Sequence, residues 1–456
     1  MAAFRSQPAE PLVSLLMVAR NAAAHIDAAL VSARRQTLRQ IEIIVVDDCS
    51  TDATGEIIRR HAGEDPRVIA VRGHGKGLAA VRNLSIAAAA APFAAVVDSD
   101  DILHPRHAEH LLDISRRTGA DLAATNMIAF SSEDPATLFA EGEPWNAERM
   151  IGHAEFVDTG CFDRTGPHLG YLKPLFRLAA LRQHGLGYDL RLRIGEDWDL
   201  VERALAAGLT YAYRPEPTYY YRRHAASTSF RWTIEDLAAL IAAERDRIAG
   251  EKSGTALAQA RRERLALLED TLAHCEAVEH LKARRFDKAL GHLLRRPRAL
   301  GMLAKSLREG LTRRAAARKP RLLSEADVAP APHVLLCGEP RSGSPVAIAA
   351  ALVKASGYQL KRLTRAQLSD PLTTARAGQG AAMVLLAEEA LADAAAHAIG
   401  DGAPFVAAAG TRHPLVGHHL DAQTCGNLLG LLPASALADN GLVWRERTRV
   451  AAGLTG

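Results

Sequence analysis

Residues 41–54 read IEIIVVDDCSTDAT, and this stretch decides the fold of the first part of the chain. Its β-branched, apolar beginning predicts a buried strand that ends in two aspartates. Ser50, Thr51 and Asp52 follow, and all three are residue types that commonly begin helices. The sequence ATGEIIRRHA after them predicts a helix. A buried strand, a short loop and a helix form the repeating unit of α/β proteins.

The same alternation extends to both sides of this stretch. Apolar strand patterns occur at 12–19, 67–71 and 93–97, and helical patterns occur at 24–36 and 77–90. This order predicts a parallel sheet that is covered by helices. In such sheets, ligands bind beyond the carboxyl ends of the strands, so we expect the functional residues in the loops that follow the strands.

A second acidic cluster follows the strand at 93–97, in the sequence AAVVDSDDIL (94–103). Carboxylates at the end of a buried strand need a positive partner, and aspartate oxygens suit Mg²⁺ or Mn²⁺ bound to a diphosphate. Alternatively, Asp100 or Asp101 caps the helix that follows Pro105. Because Asp47 and Asp48 end another strand of the same sheet, the two clusters together favour a metal site over a cap.

These blocks, in this order and spacing, resemble the inverting nucleotide-sugar glycosyltransferases of family 2. The resemblance rests on VSLLMVARNAAAHIDAALVSARRQT (13–37), IEIIVVDDCSTDAT, GLAAVRN (77–83) and VVDSDD (96–101), and continues into GEDWD (195–199). It covers roughly residues 11–230 and is strongest to the bacterial exopolysaccharide branch, of the succinoglycan type. It implies the GT-A fold.

The resemblance also implies a role for each matching residue. These roles are hydrogen bonding to uracil by Asp48, contact with the nucleotide by Arg82, contact with the ribose by Asp98, ligation of the diphosphate-bound metal by Asp100, general-base catalysis by Asp197, and a place near the metal or diphosphate for His224. Asn21 matches an asparagine of the first loop, where it contacts the nucleotide sugar. The family often has Tyr before this Asn, whereas this chain has Arg20.

Several of these residues also have a purely structural interpretation. Asp197 begins a helical pattern, where an acid interacts favourably with the helix dipole. Trp198 is either a core residue or an apolar wall for the acceptor sugar. Lys173 either contacts the acceptor or the diphosphate, or is solvated.

The expected enzyme is cytoplasmic and transfers a hexose from a UDP-sugar, with Mn²⁺ or Mg²⁺, to a lipid-linked saccharide acceptor. One alternative is a nucleotidyltransferase of related fold, but VARNAAAH (18–25) lacks the glycine-rich, basic loop which that chemistry needs after the first strand. The other alternative is a catalytically inactive GT-A-like binding or scaffold protein. The intact acids Asp48, Asp98, Asp100 and Asp197 argue against it.

The chain divides into three predicted regions: the GT-A domain (1–233), a basic helical segment (234–322) and a small α/β domain of unknown role (333–456). From Glu279 to Arg321 there are 14 Lys or Arg residues against three acids. This run is either a solvated helical face or a contact with an anionic membrane surface, which would place the protein peripherally on the inner face of the membrane.

Composition excludes other classes. A net charge of +4 is too close to neutral to indicate nucleic-acid binding. The five scattered cysteines indicate neither a zinc site nor a disulfide framework and suit a reducing cytosol. Neither a signal peptide nor a transmembrane segment is expected from the sequence. The histidines of HPRHAEH (104–110) are predicted to lie on a solvated helix face.

Overall fold

The computed structural model describes residues 10–131, 134–161, 164, 166–224, 232–249, 254–318, 333–342, 344–355, 359–379, 381–398, 405–408, 413 and 416–420. A mixed sheet forms the first part of the chain. Its strands are β1 (Val13–Ala19), β2 (Ile41–Asp47), β3 (Val68–Arg72), β4 (Phe93–Asp98), β5 (Ile102–Leu103), β6 (Leu122–Phe130), β7 (Thr137–Leu138), β8 (Arg149–Ile151), β9 (Leu175–Arg177) and β10 (Tyr211–Arg222).

The strand order explains where the site forms. The strands run β3-β2-β1-β4-β9-β6-β10-β5, and β3, β2, β1 and β4 are mutually parallel. In β1, Ala19 pairs with Asp47 of β2, and Val18 pairs with Asp98 of β4. The two acidic clusters therefore lie at the same edge of the sheet, as the sequence predicted. Strands β1, β2 and β4 are almost entirely buried, which is why they are continuous apolar runs.

Helices pack against this sheet. They are α1 (Ile26–Arg34), α2 (Thr54–Glu64), α3 (Leu78–Ala88), α4 (His107–Thr118), α5 (His153–Thr159), α6 (Leu178–Gln183) and α7 (Glu196–Ala206). Helix α2 begins at Thr54, after the three candidate capping residues Ser50, Thr51 and Asp52. Asp52 still stabilises the first turn, because its Oδ1 accepts hydrogen bonds from the backbone N and Oγ1 of Thr54. The α/β fold class predicted for this part of the chain is confirmed.

A set of helices follows β10, as predicted: α8 (Ile234–Ile248), α9 (Ala256–Lys282), α10 (Phe286–Arg295) and α11 (Pro297–Arg318). Buried ion pairs join these helices to α7. Arg247 of α8 pairs with Asp199 and Glu202, and Arg261 of α9 also pairs with Glu202. Because a buried charge is costly without its partner, these pairs hold the helical segment firmly against the helix that begins at Glu196.

The small C-terminal α/β unit is also confirmed. Its elements are β11 (His333–Cys337), α12 (Pro345–Ala355), β12 (Gln359–Leu363), α13 (Arg365–Leu368), α14 (Pro371–Gly378), β13 (Ala381–Leu386), α15 (Ala392–Ala395), β14 (Phe405–Ala408) and β15 (Val416–Leu420). All neighbouring strands are parallel, in the order β12-β11-β13-β14-β15. Strand β12 lies at the edge of this sheet, and three of its five residues are polar and exposed, so it lacks the apolar pattern of a buried strand.

This second unit contacts the first sheet directly. The hydroxyl of Tyr220 donates to the carbonyl of Ala396, and Arg376 donates to the carbonyl of Ala136. The prediction for the HPRHAEH histidines was wrong, because His104 and His107 are buried. His104 lies in this contact, with Nε2 3.0 Å from the carbonyl of Asp393. In the described part of the chain, no helix combines the length and apolarity that crossing a bilayer requires.

Candidate functional site

The loop after β1, at the carboxyl edge of the sheet, lines a cavity. Asn21 follows β1 with a φ of 51°, and its Oδ1 accepts a hydrogen bond from the backbone N of Thr51, at 2.8 Å. Its side chain therefore ties the loop after β1 to the loop after β2. Asn21 and Arg20 both line a cavity of about 410 Å³.

Asp48 lies beside this cavity and does not line it. Its carboxylate is buried, and Oδ1 accepts a hydrogen bond of 2.7 Å from the backbone N of Gly75. The guanidinium of Arg20 lies 3.9 Å from Oδ2 of the same carboxylate. Gly73 backs this arrangement, since a Cβ there would lie 2.9 Å from the Cα of Asp48. The other predicted nucleotide contacts, Asn21, Arg82 and Asp98, line the cavity, whereas Asp48 does not.

Three acids cluster at the end of β4. Asp98, Asp100 and Asp101 each offer an oxygen, and these atoms lie within 4.8 Å of one another. The three carboxylates nevertheless have very different surroundings. Their partners decide which of them is free to bind a cation.

Asp98 is neutralised by the protein itself. Lys173 Nζ lies 2.7 Å from its Oδ2, and Arg82 Nη2 lies 3.1 Å from its Oδ1. Burial alone would raise the pKa of Asp98, but the charges of Lys173 and Arg82 outweigh burial and lower this pKa to about 2. Asp98 is therefore a charged anchor for two cations.

Asp101 is a structural residue. Its Oδ2 accepts a hydrogen bond of 2.6 Å from the Tyr219 hydroxyl, and its Oδ1 accepts one of 2.7 Å from the backbone N of Arg222. Burial and the neighbouring charges of Asp100 and Asp98 raise the pKa of Asp101 well above its usual range. Asp101 thus joins the loop after β4 to strand β10.

Asp100 faces the cavity, and its carboxylate forms no ion pair with an Arg or Lys among the described residues, although Arg222 Nε donates to its backbone carbonyl. Its Oδ2 lies 2.8 Å from Nε2 of His224, which follows β10. Both side chains are partly exposed and both line the cavity. A carboxylate oxygen suits Mg²⁺ or Mn²⁺, and an imidazole nitrogen is a ligand of transition-metal ions. This pair is the donor set that fits a divalent ion.

Asp197 faces the same cavity from the first turn of α7. Its Oδ2 lies 3.3 Å from Arg82 Nη2 and 3.5 Å from Lys173 Nζ. Its Oδ1 is buried and has no hydrogen-bond donor within 3.5 Å among the described residues, and the hydroxyl of Tyr188 interacts with the same carboxylate. One oxygen of this carboxylate is therefore held in place by two cations, and the other is the candidate proton acceptor.

Trp198 packs as a core residue at the border of the cavity. It is 3% exposed and stacks on Phe156, with ring centroids 5.6 Å apart. On its other side the Arg264 guanidinium lies 3.6 Å from the ring centroid. A Cβ on Gly160 or Gly170 would lie 2.6 Å from the indole, so both glycines are needed for this packing. Both the core and the wall interpretation of Trp198 are compatible with this position.

Sequence reasoning missed two residues of the site. Glu196 lies 3.3 Å from Arg82 Nε, and burial together with the charge of Asp197 raises its pKa to about 7. Its position next to Asp197 was the available signal. Arg264 lines the cavity from α9, outside the predicted GT-A domain, and no local pattern marks it.

Comparisons with known proteins find similarities in sequence and in structure. The family model described as Glycosyl transferase family 2 matches residues 14–177. The chain is 31% identical over 308 residues to the succinoglycan biosynthesis protein ExoO of Rhizobium meliloti, covering 67% of this chain and 88% of ExoO. It is 33% identical over 295 residues to ExoU of the same organism, covering 63% and 84%. A structure of S. aureus TarS 1–349 with UDP-GlcNAc aligns with a TM-score of 0.45 at 14% identity, covering 61% and 89%.

Proposed function

The chain belongs to glycosyltransferase family 2 and has the α/β fold of a GT-A enzyme, and from this premise we propose that it transfers a hexose from a UDP-sugar in surface-glycan synthesis. The acceptor in this proposal is a lipid-linked saccharide, and the product is an exopolysaccharide. The names of ExoO and ExoU support this choice of pathway class. The site supports the choice of reaction.

The observation that carries the proposal is the placement of two acids in one cavity. Asp100 and His224 line this cavity in contact with each other, and Asp197 lines the same cavity. Asp100 and His224 would hold a Mn²⁺ or Mg²⁺ ion, which would neutralise charge on the leaving diphosphate. Arg82 lies 3.1 Å from Asp98 and 3.3 Å from Asp197, and it supplies a permanent positive charge to the lining of the cavity.

The proposed step is a single displacement. The acceptor hydroxyl gives its proton to Asp197 Oδ1, its oxygen forms the new bond to the anomeric carbon, and the bond to the diphosphate breaks with its electron pair on the leaving oxygen. Attack opposite the leaving group inverts the anomeric centre. Lys173 and Arg82 hold Asp197 Oδ2, so that the free oxygen keeps its direction during the transfer.

Calorimetry of UDP binding tests the donor site. We expect the wild type to bind UDP with Mn²⁺ and to lose most of this binding with EDTA. Asp100→Asn should lose the metal-dependent part, at least tenfold in Kd. Asp47→Asn is the matched control, since Asp47 ends a neighbouring strand but does not line the cavity. An absence of UDP binding with Mn²⁺ would overturn the UDP donor, and an absence of binding to any nucleoside diphosphate would favour the scaffold alternative.

Asp197→Asn tests the base. Loss of a general base lowers turnover by about 10²–10⁴-fold. UDP binding should stay within about threefold of wild type, because the amide keeps the shape of the carboxylate. Turnover that is unchanged in Asp197→Asn would exclude Asp197 as the base. Release of pyrophosphate from a nucleoside triphosphate and a sugar phosphate would instead identify a nucleotidyltransferase.

A further inference from the structure

An exposed apolar row lies on the helical segment. Of the seven large hydrophobic side chains that are exposed in the described residues, four lie between positions 286 and 300. They are Phe286, Leu290, Leu294 and Leu300, with 65%, 56%, 70% and 56% exposure. Single exposed leucines are common on soluble proteins, but contiguous ones indicate an interaction surface.

Helical geometry places these side chains together. Phe286, Leu290 and Leu294 are spaced by four residues in α10, so they lie on one face of the helix. The opposite face is occupied: Ala289 is buried, and His292 Nδ1 lies 2.8 Å from Glu276 of α9. Leu300 is the fourth exposed residue and lies near the start of α11, next to the buried Ala299. The contacts with α9 therefore fix which face of α10 stays open.

Positive charge surrounds this row. The exposed basic residues from 282 to 305 are Lys282, Arg284, Arg285, Lys288, Arg295, Arg298 and Lys305, and Asp287 is the exposed acid among them. None of these seven cations pairs with an acid in the described part of the chain. Ion pairs that would neutralise the surface occur on its inner side, where Arg296 binds Glu269.

We propose that this surface, the apolar row with its rim of Lys and Arg, binds the headgroup region of an anionic lipid bilayer. The apolar side chains would enter the acyl boundary while the cations contact lipid phosphates and carboxylates. A second copy of this chain is a poor occupant, because a symmetric dimer would press the same positive rim against itself. Nucleic acid would leave the apolar row against water or phosphate.

This inference rests on the proposed function in one respect, because an enzyme that uses a lipid-linked acceptor must act at the surface of a bilayer. The physical evidence for it is nevertheless independent, since it comes from α10 and α11 and not from the cavity. Membrane binding and donor binding can therefore fail separately, and each can be measured with the same preparations.

Co-sedimentation of the full chain with vesicles tests the surface. We expect binding to vesicles of 70:30 phosphatidylcholine and phosphatidylglycerol that is at least tenfold stronger than binding to phosphatidylcholine alone. The combined variant Phe286→Ser, Leu290→Ser, Leu294→Ser should reduce it at least tenfold. The matched control is Ile69→Ser, Met150→Ser, Leu190→Ser, which removes the other exposed hydrophobic residues and should bind as the wild type does.

A charge variant completes the test. Arg284→Gln, Arg285→Gln, Lys288→Gln should lose most of the preference for phosphatidylglycerol, whereas Arg39→Gln, Arg59→Gln, Arg116→Gln, exposed elsewhere, should retain it. Equal binding by the apolar variant and its control would overturn the inference. A dimer in solution that the apolar variant abolishes would identify a second copy as the occupant instead. UDP binding is measured with the same variants as an independent check. If the wild type binds vesicles but not UDP, the result counts against the proposed function alone.

Discussion

The ammonium of Lys173 lies 2.7 Å from Oδ2 of Asp98 and is itself 7% exposed. This buried pair is the centre of the site, because the same nitrogen also lies 3.5 Å from Asp197. Burial alone would lower the pKa of Lys173, but the charges of Asp98 and Asp197 outweigh it and raise this pKa above its usual range. One side chain therefore joins the acid at the end of β4 to the acid at the start of α7.

Removing that ammonium should destabilise the whole fold. Lys173→Met leaves Asp98 with Arg82 as its cation, and breaking a buried ion pair costs about 3–5 kcal/mol. We expect a loss near the lower value, since Arg82 remains. Urea unfolding at pH 7 measures it. Lys354→Met, at an exposed position of α12, is the control and should change stability by less than about 0.5 kcal/mol.

Glu196 should make stability depend on pH. Burial and the charge of Asp197 raise its pKa to about 7, above its unfolded value of about 4.3. The folded state therefore binds more protons than the unfolded state between these values, and this contribution to stability is lost as the pH rises through 7. The free energy of unfolding of Glu196→Gln, taken relative to that of the wild type, should increase between pH 5 and pH 8. A difference between the two proteins that does not change with pH would contradict the buried, protonated Glu196.

The histidine pair between the two sheets should act in the opposite direction. His104 and His397 stack with ring centroids 4.8 Å apart, and burial lowers their pKa values to about 4 and about 3. The folded state then binds fewer protons than the unfolded state below about pH 6.5, so stability is lost as the pH falls from 6.5. For His397 this amounts to about 2 kcal/mol between pH 7 and pH 5.

Thermal unfolding at pH 7 and pH 5 measures this contribution. His397→Gln should show a smaller drop in Tm between the two conditions than wild type, because it has no imidazole to protonate. His184→Gln, at an exposed position, should show the full drop. Equal drops in all three proteins would mean that His397 is not held neutral by the contact.

Arg264 should influence the acceptor more than the donor. Its guanidinium stacks on Trp198, next to Asp197, and a lysine cannot reproduce this planar contact. We expect Arg264→Lys to raise the KM for the acceptor about fivefold or more while the Kd for UDP stays within twofold. Arg262→Lys, an exposed neighbour on the same helix, is the control. Equal effects on donor and acceptor would indicate general disruption of the site.

The sequence by itself determined the strands, helices and acidic loop ends of the first sheet, because parallel strands buried on both faces are continuous apolar runs. It also predicted that the acidic clusters at 47–48 and 98–101 lie at one edge of the sheet, since parallel strands end there, and the resemblance to family 2 added Asp197. It did not decide which carboxylate carries which charge. Only the tertiary structure brings Lys173 and Arg82 to Asp98, leaves Asp100 to His224 and leaves one oxygen of Asp197 without a donor.

The same holds for residues that reach the site from far along the chain. Arg264 lies on helix α9, which the sequence analysis places in a segment separate from the GT-A domain. The buried ion pair between Arg261 and Glu202 joins this helix to α7, and Arg264 lines the cavity. His104 looks solvated in sequence, yet the second α/β unit covers it. Local sequence encodes period and propensity, whereas burial and pairing depend on contacts between residues distant in the chain. Those contacts exist only once the chain has folded.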